Sequence, residues 1–188
     1  RGTCYLTDPV NTPWGAVQCP DFAQVASDKK AYAKATRQQY DQQDEIYGKT
    51  VIQRHGKQML VQNPPALSLT QEELDAVYQL PFQRKPHPMY DAQGGVPGIA
   101  EVQFSIAHNR GCFGYCNFCS IALHQGRRVT CRSEESILKE AKQITEMPNF
   151  KGYIHDVGGP TANFRAPSCK KQLTKGLCKG KKCLAPEI

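Results

Sequence analysis

"EVQFSIAHNRGCFGYCNFCS", residues 101–120, decides how this sequence is read. Its first nine residues set Val102, Phe104 and Ile106 at alternate positions, the period-two pattern of a strand. Cys112, Cys116 and Cys119 follow at once, three thiols within eight positions, flanked by glycines and aromatic residues. A strand running straight into a loop rich in metal-binding side chains is an α/β arrangement, because such proteins place their sites at strand carboxyl ends.

Working outward, Ser133 is a good N-cap, with Glu134 and Glu135 in the first turn. Ile137, Leu138, Ala141 and Ile144 then form one apolar face running to Met147 and Pro148, which predicts a helix. "GYIHDV", residues 152–157, reads as a second strand with His155 in its middle, and Gly158 and Gly159 end it. This β-α-β rhythm places both the cysteine loop and the glycine pair at strand carboxyl ends. Upstream, the polar stretch from Asp21 to about Tyr47, with Phe22, Val25, Ala26, Ala33 and Tyr40 sparsely spaced, predicts one largely exposed helix that covers other structure. "TVIQRHGKQMLVQNPP", residues 50–65, predicts a hairpin about His55, Gly56 and Lys57, with His55 exposed in the turn. Thr70 and Glu73 make a capping box ahead of Leu74, Val77 and Leu80. The proline- and glycine-rich run from Pro81 to Gly98 ends that helix and places a boundary near Val96. The linear division is an accessory segment over 1–95 (helix, hairpin, short helix), an α/β core over 96–165, and a basic cysteine-rich tail over 166–188.

Composition narrows the function classes. A chain of 188 residues buries an ordinary core in one domain, with or without a smaller accessory piece. It has no apolar run of about 18 residues, and "RGTCYLTDPV" lacks the pattern of a signal peptide, so the expectation is a soluble, cytoplasmic protein with no membrane partner. Nine cysteines, an odd number unevenly spread, argue against a secreted disulfide framework and for metal-binding or redox thiols. Arg165, Lys170, Lys171, Lys175, Lys179, Lys181 and Lys182 lie in a stretch without an acid, and the chain's net charge is +7. That run contains no aromatic residue for base stacking, which favours a solvated basic face over a nucleic-acid contact. A start at Arg1 and a stop at "LAPEI" just after clustered cysteines suggest a piece of a longer protein.

The three loop thiols point to iron-sulfur chemistry. A [4Fe-4S] cluster is held by soft thiolates, and three cysteines leave one of its four irons without a protein ligand. Gly111 and Gly114 are expected to supply positive φ so that a short loop turns its thiolates inward. Zinc would want four ligands, and the nearest extra candidates are His124 and Cys131, an irregular spacing. The tail trio Cys169, Cys178 and Cys183, at C-x8-C-x4-C, reads either as ligands of an auxiliary cluster or zinc, or as plain thiols in a basic tail. Cys4, Cys19 and Cys131 have no partner motif and read as structural. His108 and His124 bracket the loop and are read as structural, with second-shell tuning of a cluster as the alternative. No side chain is assigned as a general base, and the catalytic residues are unknown.

"CFGYCNFC" resembles the C-x3-C-x-aromatic-C signature of the radical S-adenosylmethionine (SAM) superfamily. The wider context, "RGCFGYCNFCSIALHQGR", "RSEESILKEAKQI" and "VGGPTANF", with "YQLPFQRKPHPMY" as lead-in, resembles the YgiQ family within it, over roughly residues 78–185. The resemblance implies a [4Fe-4S] cluster on Cys112, Cys116 and Cys119, with SAM at the fourth iron. It also implies Phe118 near the adenine, where simple core packing is the alternative, and Gly158 and Gly159 near the methionine amino group, where a tight turn is the alternative. Members commonly carry an acid after these glycines, whereas Pro160 and Thr161 follow here. The implied fold is a truncated partial (β/α) barrel with an N-terminal helical and hairpin accessory segment. The implied activity is reductive cleavage of SAM to a 5'-deoxyadenosyl radical that takes hydrogen from an unknown substrate, with an electron donor protein as partner. Only 69 residues follow Cys119, whereas six βαβ units need about 180, so the fragment is expected to be inactive alone. The rival reading is a zinc-binding nucleic-acid-binding module using Cys131 or His124 as fourth ligand.

Overall fold

The computed structural model describes residues 1–159, 162–167, 169–179 and 183–184. Pro160, Thr161, Lys181 and Lys182, singled out above, lie outside the described residues. Along the chain run β1 (Cys4–Thr7), β2 (Val17–Gln18), α1 (Phe22–Ser27), α2 (Lys29–Asp41), β3 (Val51–His55), β4 (Gln58–Gln62) and α3 (Gln71–Tyr78). Then come α4 (Ile99–Val102), β5 (Ser105–Ala107), β6 (Asn109–Arg110), α5 (Ile121–His124), β7 (Thr130–Cys131), α6 (Glu134–Thr145), β8 (Asp156–Gly158) and α7 (Gln172–Lys175). The fold is mixed α/β with one four-stranded and two two-stranded sheets, and the described residues form no closed barrel. None of their helices is long and apolar enough to cross a membrane.

The elements gather into two compact units that interleave along the chain. One holds Arg1–Ser68, Gly111–Val129 and Pro167–Ile188; the other holds Leu69–Arg110 and Thr130–Ala166. The linear segmentation read from the sequence follows motifs rather than compactness, and the cysteine loop is gathered with the first 68 residues.

In the first unit the hairpin forms as expected, β3 against β4 with His55 opposite Gln58. Gly56 closes the turn at φ +60°, a region glycine enters without penalty. Two strands that no sequence pattern announces complete the sheet: β1 pairs antiparallel with β4 and β2 pairs parallel with β3. Ile52, Met59 and Val61 make one buried cluster, and Cys19, Ala35 and Val51 make another. Full burial of the Ile, Val and Met side chains among them stabilises by about 1.5–3 kcal/mol each. The single helix expected from Asp21 to Tyr47 is instead two. Asp28 adopts extended backbone and its carboxylate accepts from the Lys30 N–H, so a cap interrupts the polar run. The second helix stops at Asp41. Beyond it the buried Asp44 carboxylate accepts from the N–H groups of Ile46 and Tyr47, a turn that competes with helix. His55 is half-buried rather than exposed, its ring stacked on Phe22 at 4.7 Å.

The second unit carries one β-α-β passage. β5 and β8 are parallel, with Ser105 opposite Asp156, Ile106 opposite Val157 and Ala107 opposite Gly158. Both strands are shorter than the sequence suggests. Residues 99–102 coil as α4 after Pro97, leaving Val102 exposed, so only Phe104 and Ile106 of the alternating trio reach the core. Gly152 turns at φ +98°, so β8 starts at Asp156, and His155 precedes it, its N–H donating to the Phe104 carbonyl at 3.1 Å. Phe104, Ile106 and Ile144 form the core, with Ile137 and Ala141 of α6 against it. Leu138, assigned to that face from its spacing, is exposed. The α3 capping box is present, Thr70 accepting from Glu73 N–H and Glu73 from Thr70 N–H, and Leu74 is buried. Arg132, only 1% exposed, donates to Glu140, Ser136 and the Ala107 carbonyl, and Glu140 also accepts from Arg84. This buried charge network left no pattern in the sequence.

Candidate metal and cofactor site

The chain leaves β6 at Arg110, makes the cysteine-bearing excursion 111–129, and re-enters a strand at Thr130. Gly111 has φ +85°, and a Cβ there would lie 1.9 Å from the Arg128 carbonyl oxygen. Glycine is therefore required twice over, by conformation and by space. Gly114 does not take the positive φ expected of it; Tyr115 does, at +53°. Gly114 is needed for room. A Cβ there would meet the Cys112 sulfur at 3.2 Å and the Cys116 sulfur at 3.8 Å, so two thiols converge on this bare backbone. The Gly114 N–H points to Cys112 Sγ at 3.4 Å, and the Cys119 N–H donates to the Cys116 carbonyl at 3.1 Å, a backbone turn that joins the second and third cysteines. Cys112 is buried, while Cys116 and Cys119 are half-buried. Among the described residues no three His, Cys, Asp or Glu side chains are gathered closely enough to hold a metal ion. The donor set nevertheless fits a cluster: three soft thiols on one loop, two already turned to one side of a glycine.

Tyr115 locks the middle of this loop. Its ring stacks on Tyr40 at 4.8 Å, its hydroxyl donates to the Tyr40 carbonyl at 2.7 Å, and the Arg127 guanidinium lies over its face at 4.2 Å from the centroid. Burial pushes the phenol pKa well up, so the hydroxyl stays a donor at any ordinary pH. Arg127 donates to the Cys178 carbonyl at 3.0 Å, and the Leu177 N–H donates to Asp44 at 2.7 Å. The Arg128 guanidinium meets Glu45 at 2.8 Å. Sequence reasoning found none of these supports. The aromatic inside C-x3-C was a visible cue for Tyr115, but nothing local announces its partner 75 residues away.

The other sequence-assigned residues divide. Phe118 is 92% exposed, so core packing is not its role. Cys131 lies in the second unit, its thiol donating to the Phe164 carbonyl at 3.3 Å, and burial raises its pKa. Of the cysteines read as structural, Cys19 is buried in a core cluster and Cys4 is exposed. The Cys178 N–H points to Cys183 Sγ at 3.3 Å, and Cys169 joins no metal-binding group among the described residues. His124 is exposed at the end of α5.

Gly158 and Gly159 stand at the carboxyl end of β8. The His108 N–H donates to the Gly158 carbonyl at 2.9 Å, and the Gly159 N–H donates to Asn163 Oδ1 at 2.9 Å. His108 is buried, and desolvation, then the charge of Arg165, lowers its pKa, keeping the imidazole neutral.

A sequence model of the family described as "Radical SAM N-terminal" matches residues 1–105, more than half of the chain. The chain belongs to the radical SAM family, of the YgiQ type. It is 52% identical over 188 residues to a "UPF0313 protein" of Clostridium perfringens (strain SM101 / Type A), covering 100% of this chain and 28% of that protein. It is 52% identical over 187 residues to a "UPF0313 protein" of Clostridium botulinum (strain Kyoto / Type A2), covering 100% of this chain and 29% of that one. This YgiQ-type chain thus spans under a third of the length of the curated relatives it matches. No solved structure matches it. The match also reaches the first 77 residues, for which the sequence motifs offered no family resemblance.

Proposed function

We propose that this chain supplies the [4Fe-4S]-binding loop and the opening strands of a partial (β/α) barrel to an enzyme that reductively cleaves SAM. The observation carrying the proposal is the loop: Cys112, Cys116 and Cys119 at C-x3-C-x2-C, with two sulfurs converging on Gly114. When bound, the cluster and SAM together supply a one-electron cleavage that yields methionine and a 5'-deoxyadenosyl radical able to take hydrogen from a substrate. The protein's own part is placement. Cys112, Cys116 and Cys119 would hold the cluster through three thiolates, and Tyr115, clamped by Tyr40 and Arg127, keeps the loop in one conformation. The family resemblance assigns the exposed Phe118 ring to the adenine and Gly158 and Gly159 to the methionyl end.

The reaction needs an electron donor protein and a substrate whose identity lies with barrel strands beyond two units, so the chain alone is proposed to bind cofactors without turnover. The linear division into 1–95, 96–165 and 166–188 is retained as the proposed order of accessory segment, core and tail, in a cytoplasmic protein. Nothing favours the zinc and nucleic-acid alternative: of its two candidate fourth ligands, the Cys131 thiol donates to the Phe164 carbonyl and His124 is exposed at the end of α5.

Anaerobic reconstitution with iron and sulfide tests the proposal, comparing wild type with a Cys112, Cys116, Cys119 triple-alanine variant. A cubane paramagnetic signal that shifts on adding SAM, and is lost in the variant, is the expected result. Stoichiometric zinc without a cluster would sink it.

A further inference from the structure

Asn109 is 3% exposed, and neither its Oδ1 nor its Nδ2 has a hydrogen-bond partner among the described residues. Each unpaired buried polar group costs roughly 1–3 kcal/mol, so a wholly orphaned amide calls for an explanation such as a ligand. His108 beside it repeats the pattern, with Nδ1 buried and without a partner among the described residues. The pair sits at the carboxyl end of β5, whose parallel neighbour β8 ends at Gly158. That edge is where open α/β sheets receive ligands.

The backbone opposite is shaped to admit these side chains. A Cβ at Gly159 would stand 2.3 Å from Asn109 Oδ1, and one at Gly158 would stand 2.7 Å from Asn163 Oδ1 and 3.1 Å from Asp156 Oδ1. The edge also carries an acid, the Asp156 carboxylate, which lies against Gly158. A phosphate is disfavoured by Asp156. A group bearing an ammonium and a carboxylate on one carbon matches this set: the ammonium suits Asn109 Oδ1 and the Asp156 carboxylate, and the carboxylate suits Asn109 Nδ2.

We propose that Asn109, with His108 beside it, is a ligand-binding residue whose amide takes the α-amino-carboxylate group of an amino-acid-like ligand over the Gly158–Gly159 backbone. Asn109 Oδ1 accepts from the ammonium, and Nδ2 donates to the carboxylate. The inference rests on the reading above in one respect, that the methionyl end of SAM is such a group; the amide itself is the new element.

The test titrates L-methionine, SAM and, as a control lacking the zwitterion, adenosine into the wild-type chain and into Asn109→Leu and Asn109→Ala. Binding is read by calorimetry and stability by thermal unfolding. Losing one amide contact weakens methionine and SAM by about tenfold or more. Asn109→Leu, which removes an unpaired polar group at similar volume, is expected to melt no lower than wild type. A marked fall in its melting temperature would make Asn109 a structural amide and overturn the proposal. So would unchanged affinity, no methionine binding by wild type, or binding of adenosine alone. Cluster assembly is scored separately. Methionine binding without a cluster would leave this inference standing and defeat the reading it extends, whereas a cluster with Asn109-independent SAM binding would do the reverse.

Discussion

Tyr115 and Asn109 are both buried polar residues within a few positions of the cysteines, and the structure treats them in opposite ways. Tyr115 is held on three sides, by Tyr40 ring and carbonyl and by Arg127, whereas Asn109 has a full amide and no partner among the described residues. A group whose bonding is complete serves to fix a shape. A group left with bonding capacity, at some cost in stability, has that capacity available for a ligand. The cysteine loop is therefore a finished frame, and the β5/β8 edge an unfinished one.

The comparison breaks first if the frame tolerates change. Gly111→Ala forces a left-handed residue into contact with the Arg128 carbonyl, and should cost on the order of 3 kcal/mol in urea unfolding, with loss of reconstituted cluster. Tyr115→Phe keeps the stack and removes one hydrogen bond, so about 1 kcal/mol is expected by the same measurement. A cost near zero would mean that the clamp is not rigid. On the unfinished side, the folded pKa of His108 lies below its unfolded value, so the unfolded chain takes up the proton first. Stability should then fall as pH drops through about 6.5, with a slope of at most about 1.4 kcal/mol per pH unit, and level off below the folded pKa. His108→Gln should flatten that part of the curve, and identical curves would remove the buried neutral imidazole from the account. Smallest of all, Phe118→Ala should change stability by under about 0.5 kcal/mol, because the ring is almost fully exposed, while weakening SAM binding if the ring meets adenine.

What the sequence revealed follows the range of the interactions involved. Capping at Thr70 and Ser133, the His55–Gly56–Lys57 turn and the apolar stripe through Ile137, Ala141 and Ile144 are set by neighbours a few residues apart, and all appear in the structure. Leu138 was misassigned because the stripe seats fewer positions than its spacing allows. The break at Asp28 was missed because a capping carboxylate inside a polar run resembles any other helix surface residue. The C-x3-C-x2-C spacing marked the loop from which the cluster proposal is built, yet the positive φ fell on Tyr115 instead of Gly114, since Tyr40 and Arg127 hold that residue from outside the motif. The edge strand β1, the Arg132–Glu140 network and the orphaned Asn109 depend on partners that no window of sequence contains.

The Asp44 carboxylate has a consequence for how the protein is made. It accepts from Leu177, 133 residues later, while Tyr115 must find Tyr40 across 75. During synthesis the N-terminal sheet emerges early and waits, its acid uncovered, for a strand of chain that the ribosome delivers only after the cysteines have passed. Closing so long a loop carries an entropic cost before any contact rewards it. The thiols therefore leave the exit tunnel on a loop not yet tied down, and the arrival of Leu177 sets the earliest moment at which the nascent frame is complete.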